Sequence, residues 1–414
     1  MPPLDRVLAP VLLAALCAPA VAQEADAGFT LPVTLTGQAL YSHRLQSTDS
    51  SAAPATAAFH AVLYPSLKLG PHWFVYSSIH LSSTPFYYAD AYDASHNLET
   101  NVVQAFLGYT RTYKSTSFLI KAGQLSTAFG SFPLHYDDAE NPLIDQPLPY
   151  SAYLKLRPDQ LPCNVDDLLD PRQYGTSANF HCGGSSGEGE GLTPATLYGL
   201  PAVEADISTH KLDARLQLTN SSPSNPQRLW SNSQHAQWTV GAGYTLAPGF
   251  RLGFSAFRGT YLDRAVAPFL PPGKNLGDFP ATGAGLDAQW ARGRWRTSGE
   301  WQWFRFAYPS FRVSPAVSFA YAEVKMVVNP RTYLAVRAAY QRANRVADLT
   351  ETSQLTFAPP MQTYEFAIGF RPNRWQLLKL GYECLKSPDI SGTRDNVLAL
   401  QLVTSITPIS KALR

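Results

Sequence analysis

Hydrophobic and polar residues alternate with a period of two along most of this chain. In the segment 364–370, which reads YEFAIGF, the even positions are large and apolar, whereas the odd positions are small or charged. The same alternation runs through the segments 211–218, 237–244 and 294–303. Because successive side chains of a β-strand point to opposite faces, each segment is predicted to be a strand with one apolar face and one face in water.

Helical periodicity does not account for these segments, and past the first residues no apolar stretch reaches the roughly eighteen residues typical of a membrane helix. The pattern predicts about sixteen strands, a number typical of large barrels. They lie near residues 31–43, 57–69, 73–83, 101–112, 116–124, 196–208, 210–220, 235–246, 250–260, 281–290, 294–306, 316–328, 332–343, 360–371, 375–386 and 394–406.

Tight links between the predicted strands alternate with long polar ones. The tight links include residues 69–72, 247–249, 291–293, 329–331 and 372–374. Short turns at one end and long loops at the other are typical of bacterial outer-membrane barrels, and an even strand number places both chain ends at the short-turn side. The longest predicted loop, 125–195, follows the fifth strand.

A soluble two-sheet sandwich is the main structural alternative, because an antiparallel sheet with one wet face shows the same period. Charges in the polar rows, such as Lys211, Asp213 and Arg215, and the alternation of short and long links oppose it. Aromatic residues make up 12% of the chain, as expected for the interface girdles of a membrane barrel. The predicted fold class is therefore all-β: a transmembrane antiparallel β-barrel with short periplasmic turns and long extracellular loops.

The first residues are predicted to be an export signal. A basic start at Arg6 precedes an apolar run, 7–18, and an Ala-Val-Ala cleavage site that ends at Ala22. The chain is thus divided into a signal peptide, 1–22, and a barrel, 23–414. Lys plus Arg (33) nearly balance Asp plus Glu (31), which disfavours nucleic acid as a partner.

The segment 121–132, KAGQLSTAFGSF, resembles a strand exit common in anion-selective and carbohydrate porin-like proteins, although Gln124 stands where Arg is more usual. With the signal peptide, the strand number and the long loop after the fifth strand, it makes the chain similar to the bacterial porin superfamily. The resemblance implies a water-filled channel for small hydrophilic solutes or ions in the lipid of the bacterial outer membrane. It also implies a homotrimer and a long loop that folds into the pore. No cofactor or metal is expected.

An acidic cluster in the long loop is the first candidate site. Asp137, Asp138, Glu140 and Asp145 surround the Asn141-Pro142 turn. If the loop folds inward, these acids are predicted to form a pore constriction that attracts cations. The alternative is a solvated surface loop, because runs of charge usually face water.

Charged residues in the polar phase of the strands are predicted to line the pore, because Arg or Lys facing lipid at mid-membrane costs about 2–4 kcal/mol. Glu204 and Asp206 belong to this phase. The pore-wall candidates are Lys121, Lys211, Asp213, Arg215, Arg294, Arg296, Glu300, Arg337, Glu365, Lys379 and Glu383.

Two cysteines lie in the long loop. The export signal places Cys163 and Cys182 in an oxidising compartment, where such a pair is expected to form a disulfide. A metal site that includes His181 is the alternative, but no second pair of ligands completes it. Cys384 shares the apolar phase of its strand and is predicted to face lipid.

Two other classes of barrel compete with a channel. Ser78, His80 and Ser82 share one strand face and Ser42 precedes His43, as in a barrel lipase or protease, but no Gly-x-Ser-x-Gly motif is present. No catalytic residue is therefore assigned. A structural or adhesive barrel without an open pore is the other alternative. Small inward residues at Gly241, Gly243, Gly253 and Gly369 are predicted to leave room for water instead.

Overall fold

The computed structural model describes residues 28–42, 55–83, 98–134, 136–170, 177–187, 189–195, 199–220, 222, 224, 236–350, 352–386 and 395–406. The predicted signal peptide and His43 lie outside the described residues. No helix within the described ranges is long and apolar enough to cross a membrane.

Within these described ranges, sixteen antiparallel strands form one closed barrel. They are β1 Val33–Ser42, β2 Ala55–Leu63 continued by Ser66–Leu69, β3 Trp73–Ser83, β4 Leu98–Tyr113, β5 Thr116–Leu125, β6 Leu200–Ser208, β7 Leu212–Thr219, β8 Gln237–Ala247, β9 Phe250–Thr260, β10 Pro280–Arg292, β11 Trp295–Phe306, β12 Ala316–Asn329, β13 Thr332–Ala343, β14 Met361–Phe370, β15 Gln376–Lys386 and β16 Asp395–Ile406. A short strand, Phe29–Thr30, pairs beside Ser66 and Leu67.

Each barrel strand pairs with the next along the chain, and β1 also pairs with β16, from Val33 opposite Ile406 to Ser42 opposite Val397. This closure removes the sheet edges that would otherwise be left unpaired. The predicted all-β barrel and its strand number are confirmed, with strand boundaries within a few residues of the prediction.

The period of two separates an inner from an outer face. In β13, Tyr333, Arg337 and Gln341 point inward and are buried, whereas Leu334 and Val336 point outward and are each 40% exposed. Outward apolar side chains are stable in lipid, and the inward charges avoid it. The alternation along the strands thus reflects two environments: the membrane on the outer face, and water or protein on the inner face.

Seven short turns join the strands at the end of the barrel where β1 begins and β16 ends. Gly70, Gly249 and Gly293 adopt φ values of 87°, 78° and 59°, in the left-handed region that glycine adopts without strain. Lys211 and Arg294 also lie in these turns, because β7 begins at Leu212 and β11 begins at Trp295. The prediction that placed both residues on the pore wall is therefore wrong.

The long-loop end carries a folded cap, made of the described residues of the long loop from 148 to 195 and of the loops 261–279, 307–315 and 344–360. Its elements are α1 Leu148–Ser151, α2 Val165–Leu168, the 3-10 helices Arg264–Phe269 and Leu276–Asp278, a two-stranded sheet Ser177–Ala178 with Gly189–Glu190, and a three-stranded sheet Phe311–Val313, Arg345–Asp348 and Thr352–Thr356. A further 3-10 helix, Phe132–Leu134, precedes the cap.

An apolar core lies between the cap, the start of the long loop and the inner wall. Phe129 and Tyr150 of the loop pack in one cluster with the inward-facing Phe257, Phe304 and Phe319 of β9, β11 and β12, and all five side chains are buried. The inner face of these strands is therefore filled by protein at the long-loop end, and solutes cannot reach it there.

Candidate functional site

The long loop enters the barrel as soon as β5 ends. Its backbone first follows the inner faces of β7, β9 and β11. Ala128 N donates to Gln217 Oε1 at 3.3 Å, and Gly130 N donates to Ser255 Oγ at 3.1 Å. Inward-facing side chains thus accept hydrogen bonds from loop N–H groups that pair with no strand. Such partners are needed because a buried backbone N–H without a hydrogen bond is costly.

Glu300 of β11 is the main anchor of this first stretch. Its carboxylate accepts hydrogen bonds from Ser131 Oγ at 2.8 Å, Phe132 N at 2.7 Å and Tyr150 OH at 2.9 Å. Ser131 N, Tyr321 OH and Gln302 Nε2 donate to it as well. Only 4% of Glu300 is exposed, so its carboxylate has lost most of its hydration. The six donors replace the hydrogen bonds that water would have given.

The loop then crosses the lumen. Phe132 is bound at β11, whereas the hydroxyl of Tyr136 lies 3.0 Å from Ser78 Oγ on β3. Strands β11 and β3 are eight apart in a closed barrel of sixteen, so they stand on opposite sides. The resemblance to porins implies a long loop that folds into the pore. In the structure, a segment of this loop crosses the lumen from β11 to β3.

The acidic cluster lies against the wall. Asp138 accepts hydrogen bonds from Thr36 Oγ1 at 2.7 Å and from His60 Nδ1 at 3.0 Å, and it is only 2% exposed. Its neighbour Asp137 accepts from the hydroxyl of Tyr64 and from Thr34 Oγ1. The first two acids are therefore held by β1 and β2.

Lys379 and Arg337 hold the next part of the loop. Lys379 Nζ donates to the carbonyls of Asp138, Asn141 and Leu143 at 2.6, 2.9 and 3.0 Å. Arg337 lies between Glu323 and Glu365, at 2.8 and 3.0 Å, and also donates to Asp145 O at 2.9 Å.

Glu365 in turn accepts from the backbone amides of Ile144 and Asp145, at 2.9 and 3.2 Å. These buried wall charges therefore serve the loop backbone. Asp138 and Asp145 are buried by these contacts, Asp137 is partly buried, and Glu140 is the exposed member of the four acids. Most of the acidic cluster thus faces protein instead of the channel, and hydrogen bonds from the wall hold the carboxylates of Asp137 and Asp138.

Charged side chains remain on the inner faces of β5–β10, beside the loop segment 126–132 and towards the short-turn end. We call this part of the lumen the passage. Lys121 Nζ pairs with Glu204 at 2.5 Å and with Asp206 at 2.7 Å. Arg251 bridges Asp213 and Asp287, both at 2.7 Å.

Arg215 projects beside these pairs and donates one hydrogen bond of 3.3 Å to Gly130 O of the loop. A cavity of about 260 Å³ opens here, lined by Asp206, Asp213, Arg215, Arg251 and Gln289. The passage is therefore walled by alternating acidic and basic side chains.

The inward glycines do not leave empty space for water. A side chain at Gly243 would collide with the Arg251 guanidinium, and one at Gly253 would collide with the Asp287 carboxylate. Glycine at these two positions lets the ion-paired side chains lie flat against the sheet. The prediction of room for water at these positions is therefore wrong.

The wall candidates thus fall into groups. Lys121, Asp213 and Arg215 line the passage, whereas Glu300, Arg337, Glu365 and Lys379 bind the loop. Arg296 lies in the inward phase near the short-turn end and is exposed, and Glu383 is inward and buried. Sequence reasoning missed Arg251, Asp287 and Glu323, although each shares the inward phase of its strand and could have been found by that signal.

Cys163 and Cys182 form a disulfide in the cap, with their Cα atoms 4.9 Å apart. His181 Nδ1 lies 2.5 Å from Asp167 Oδ1. Cys384 is a free thiol in the outward phase of β15. The disulfide and the outward position of Cys384 agree with the sequence analysis.

Ser78 and His80 do not form a nucleophile–base pair. Ser78 Oγ bonds the hydroxyl of Tyr136, and His80 Nδ1 lies 3.1 Å from His60 Nε2. The second nitrogen of His60 is bound to Asp138. The serine and histidine of this face thus belong to the contact between wall and loop.

No family model matches the sequence, and no curated protein is significantly similar to it. Solved structures do match. The outer membrane channel DcaP of Acinetobacter baumannii has a TM-score of 0.55 at 10% identity, over 92% of this chain and 97% of that one. OmpT, an outer membrane protein of Vibrio cholerae, has a TM-score of 0.53 at 8% identity, over 93% and 99%. OprB of Pseudomonas putida has a TM-score of 0.50 at 12% identity, over 92% and 94%.

These similarities concern the fold. Together with the closed sheet, the apolar outer face and the inward charges, they show that the chain has the porin-like fold of outer-membrane β-barrels.

Proposed function

We propose that the protein is an outer-membrane porin that lets small hydrophilic solutes cross the sector bounded by β5–β10 and the loop segment 126–132. The observation that carries this proposal is the charged cavity beside Arg215, which is lined by strand residues of the inner wall and by no residue of the loop or the cap. One structure of the same fold is described as an outer membrane channel.

The charges of the passage favour polar solutes in general over ions of one sign. Its cations are Lys121, Arg215 and Arg251, and its carboxylates are Glu204, Asp206, Asp213 and Asp287. Lys121 and Arg251 are each held between two carboxylates, whereas Arg215 contacts a backbone carbonyl. Arg215 is thus the cation best placed to meet an anionic or hydroxylated group of a passing solute.

The proposal includes a homotrimer. A Vibrio cholerae OmpT structure of the same fold is described as a trimer form, with a TM-score of 0.50. The outer face of β1 and β2 carries Gly37, Ala39 and Ala57, small residues that let two barrels approach closely. The mass of the detergent complex after subtraction of detergent should be that of three chains, and a monomer mass would refute this part of the proposal.

Planar bilayer recordings test the channel. The purified protein should give stable open steps of current, and a bilayer that stays silent would refute the proposal. The triple variant Lys121→Gln, Arg215→Gln, Arg251→Gln keeps the four carboxylates of the passage, so its reversal potential in a salt gradient should shift towards cation preference.

A matched control replaces cations on the cap surface, with the substitutions Lys274→Gln, Arg312→Gln and Arg345→Gln. Its reversal potential should equal that of the parent. Arg215→Gln alone provides a milder variant if the triple one fails to fold, as judged by heat-modifiable gel mobility. An unchanged reversal potential in both folded passage variants would place the conducting path elsewhere.

A further inference from the structure

One pair of opposite charges on the inner wall stands in register without pairing. Opposite charges that face each other across two neighbouring strands attract, and such pairs stabilise a sheet. Among the described barrel strands there are four such positions: Lys121 with Glu204, Asp206 with Arg215, Glu323 with Arg337, and Arg337 with Glu365. Three of them are joined by ion pairs. Asp206 and Arg215 are the exception, because each of them binds elsewhere.

The two side chains are drawn to opposite sides. Asp206 turns towards β5, where Lys121 Nζ lies 2.7 Å from one of its carboxylate oxygens. Arg215 leans over β8 instead. Its guanidinium lies above Gly241, where an added Cβ would be 3.4 Å from Nη2, and it donates to Gly130 O at 3.3 Å. Both charges line the cavity of about 260 Å³, so the space between them is part of it.

The cavity has no excess of either sign of charge. Two carboxylates, Asp206 and Asp213, and two guanidinium groups, Arg215 and Arg251, line it. Arg251 and Asp213 bind each other at 2.7 Å, whereas Arg215 gives a single hydrogen bond although a guanidinium has five N–H donors. The remaining donors of Arg215, and the remaining lone pairs of the two acids, can serve a solute that carries both kinds of charge.

A solute of one charge gains little in these surroundings. An anion that reaches Arg215 also meets Asp206 and Asp213, and a cation that reaches the two acids also meets two arginines. A zwitterion satisfies both sets at once. Its carboxylate can accept two parallel hydrogen bonds from a guanidinium, and its ammonium can donate to a carboxylate.

The lining also limits the size and the kind of the solute. Cavities that hold drug-sized molecules measure about 300–1,000 Å³, so this one suits a smaller metabolite. Every inward side chain of the lining is polar, including Ser208 and Gln289, whereas Ile207 and Ala214 belong to the outward phase of their strands. The cavity therefore offers nothing to a hydrophobic side chain and recognises charged groups alone.

We propose that this cavity binds zwitterionic α-amino acids, with Arg215 holding the carboxylate and with Asp206 and Asp213 holding the ammonium. The inference rests on the proposed channel function, because it assigns a class of solute to the passage. Weak binding is sufficient, since a solute that is held tightly cannot leave the channel.

Saturation-transfer NMR of the folded full-length protein in deuterated detergent measures weak binding without requiring conductance. L-alanine is compared with propionate, which lacks the ammonium, and with ethylamine, which lacks the carboxylate. The dissociation constant of alanine should be at least about tenfold lower than that of either analogue, because each analogue loses the charge-assisted hydrogen bonds of one end. Equal affinities for the three solutes would overturn the proposal.

Two variants should change the preference in opposite directions. Arg215→Gln leaves two acids against one arginine, so alanine should bind about tenfold more weakly and ethylamine should bind better than propionate. The double variant Asp206→Asn, Asp213→Asn should bind propionate better than ethylamine. If neither variant changes the order of the two analogues, the assignment of the charges is wrong.

Arg296→Gln is the matched control for Arg215→Gln. Arg296 is an inward arginine near the short-turn end, and it does not line the cavity. This control should bind alanine like the parent, and an equal loss of binding in the two variants would overturn the proposal. If Arg215→Gln fails to fold, as judged by heat-modifiable gel mobility, Arg215→Lys takes its place. It keeps the charge but loses the fork of donors, so it should also weaken the binding of alanine.

Planar bilayer recordings separate this inference from the channel itself. Stable conductance without binding of alanine would refute this inference and leave the channel standing. Binding of alanine by a protein that never conducts would refute the proposed channel, and with it the role of the cavity in the passage of amino acids.

Discussion

Replacing Glu300 by alanine should release the first stretch of the loop from β11. The carboxylate accepts four hydrogen bonds from the loop: those of Ser131 N, Ser131 Oγ, Phe132 N and Tyr150 OH. In the variant these donors stay close to an apolar core with no acceptor. The rest of the loop keeps its contacts with Lys379 and Arg337, so the change should be local.

The magnitude follows from the number of orphaned donors. A buried donor left without a partner costs about 1–3 kcal/mol, so four of them give a nominal loss of about 4–12 kcal/mol. Water entering the space left by the side chain offsets part of this loss, and we expect the lower end, about 4 kcal/mol. At about 1.4 kcal/mol per factor of ten, the attached state of this stretch becomes roughly a thousandfold less favoured.

Single-channel recording measures the effect. Because residues 126–132 lie on the inner faces of β7, β9 and β11 beside the charged cavity, a detached segment should move in the lumen and produce rapid fluctuation between conductance levels. Asp287→Asn is the matched control, since it removes a negative charge from an inward carboxylate on the neighbouring strand that pairs with Arg251 instead of the loop. The control should retain steady steps.

Identical conductance and noise in Glu300→Ala and the parent would refute this reasoning, provided that the variant keeps its heat-modifiable mobility. The same would hold if the two variants fluctuated equally, because the effect would then come from any loss of inward charge and not from loss of the loop anchor.

Three further predictions concern the loop and the cap. Replacing Cys163 and Cys182 by serine should destabilise the cap by about 3 kcal/mol, seen as faster proteolysis of the cap with unchanged barrel mobility, and equal proteolysis of parent and variant would contradict it. Burial alone would raise the pKa of Asp159, but the hydrogen bonds from Arg157 hold this pKa below its usual range. The pair therefore stabilises the cap at neutral pH, and this contribution is lost as the pH falls through the lowered pKa; hydrogen exchange of the cap should rise below about pH 4 in the parent and lose that step in Arg157→Gln. Glu140→Gln alone should reproduce most of the change in ion preference caused by neutralising the whole acidic cluster, and a larger effect of the buried acids at equal loop stability would contradict the burial described here.

Strand positions were predictable because every strand of a membrane barrel must turn its apolar side chains towards lipid and its charged side chains inward. The segment 332–343 was predicted as a strand and is β13, Thr332–Ala343, since a shift of one residue would place Arg337 in lipid. The same rule gave the inward orientation of Lys121, Arg215 and Lys379. At the short turns the rule weakens, and Lys211 and Arg294 were misplaced there by one position.

The role of each inward charge was not predictable. Lys379 and Arg215 have the same phase and the same sign, yet Lys379 holds loop carbonyls and Arg215 faces the passage. Which of the two meets the loop depends on the path of the long loop. The loop sequence has no periodicity, and its path is set by tertiary contacts with opposite walls of the barrel. A local signal did exist for the filled sector, because the inward phase of β11 turns from Glu300 and Gln302 to Phe304 and Phe306.

Chemical blockage of the passage tests the central claim most directly. In a Cys384→Ser background, Arg215→Cys places a single thiol in the proposed path, and Ala339→Cys places one on the buried inner face of β13 behind the loop. During recording, a bulky charged thiol reagent should lower the conductance of Arg215→Cys in discrete steps and leave Ala339→Cys unchanged. Full conductance of Arg215→Cys after labelling verified by mass spectrometry, or a block at Ala339→Cys, would show that solutes do not pass along the charged inner faces of β5–β10.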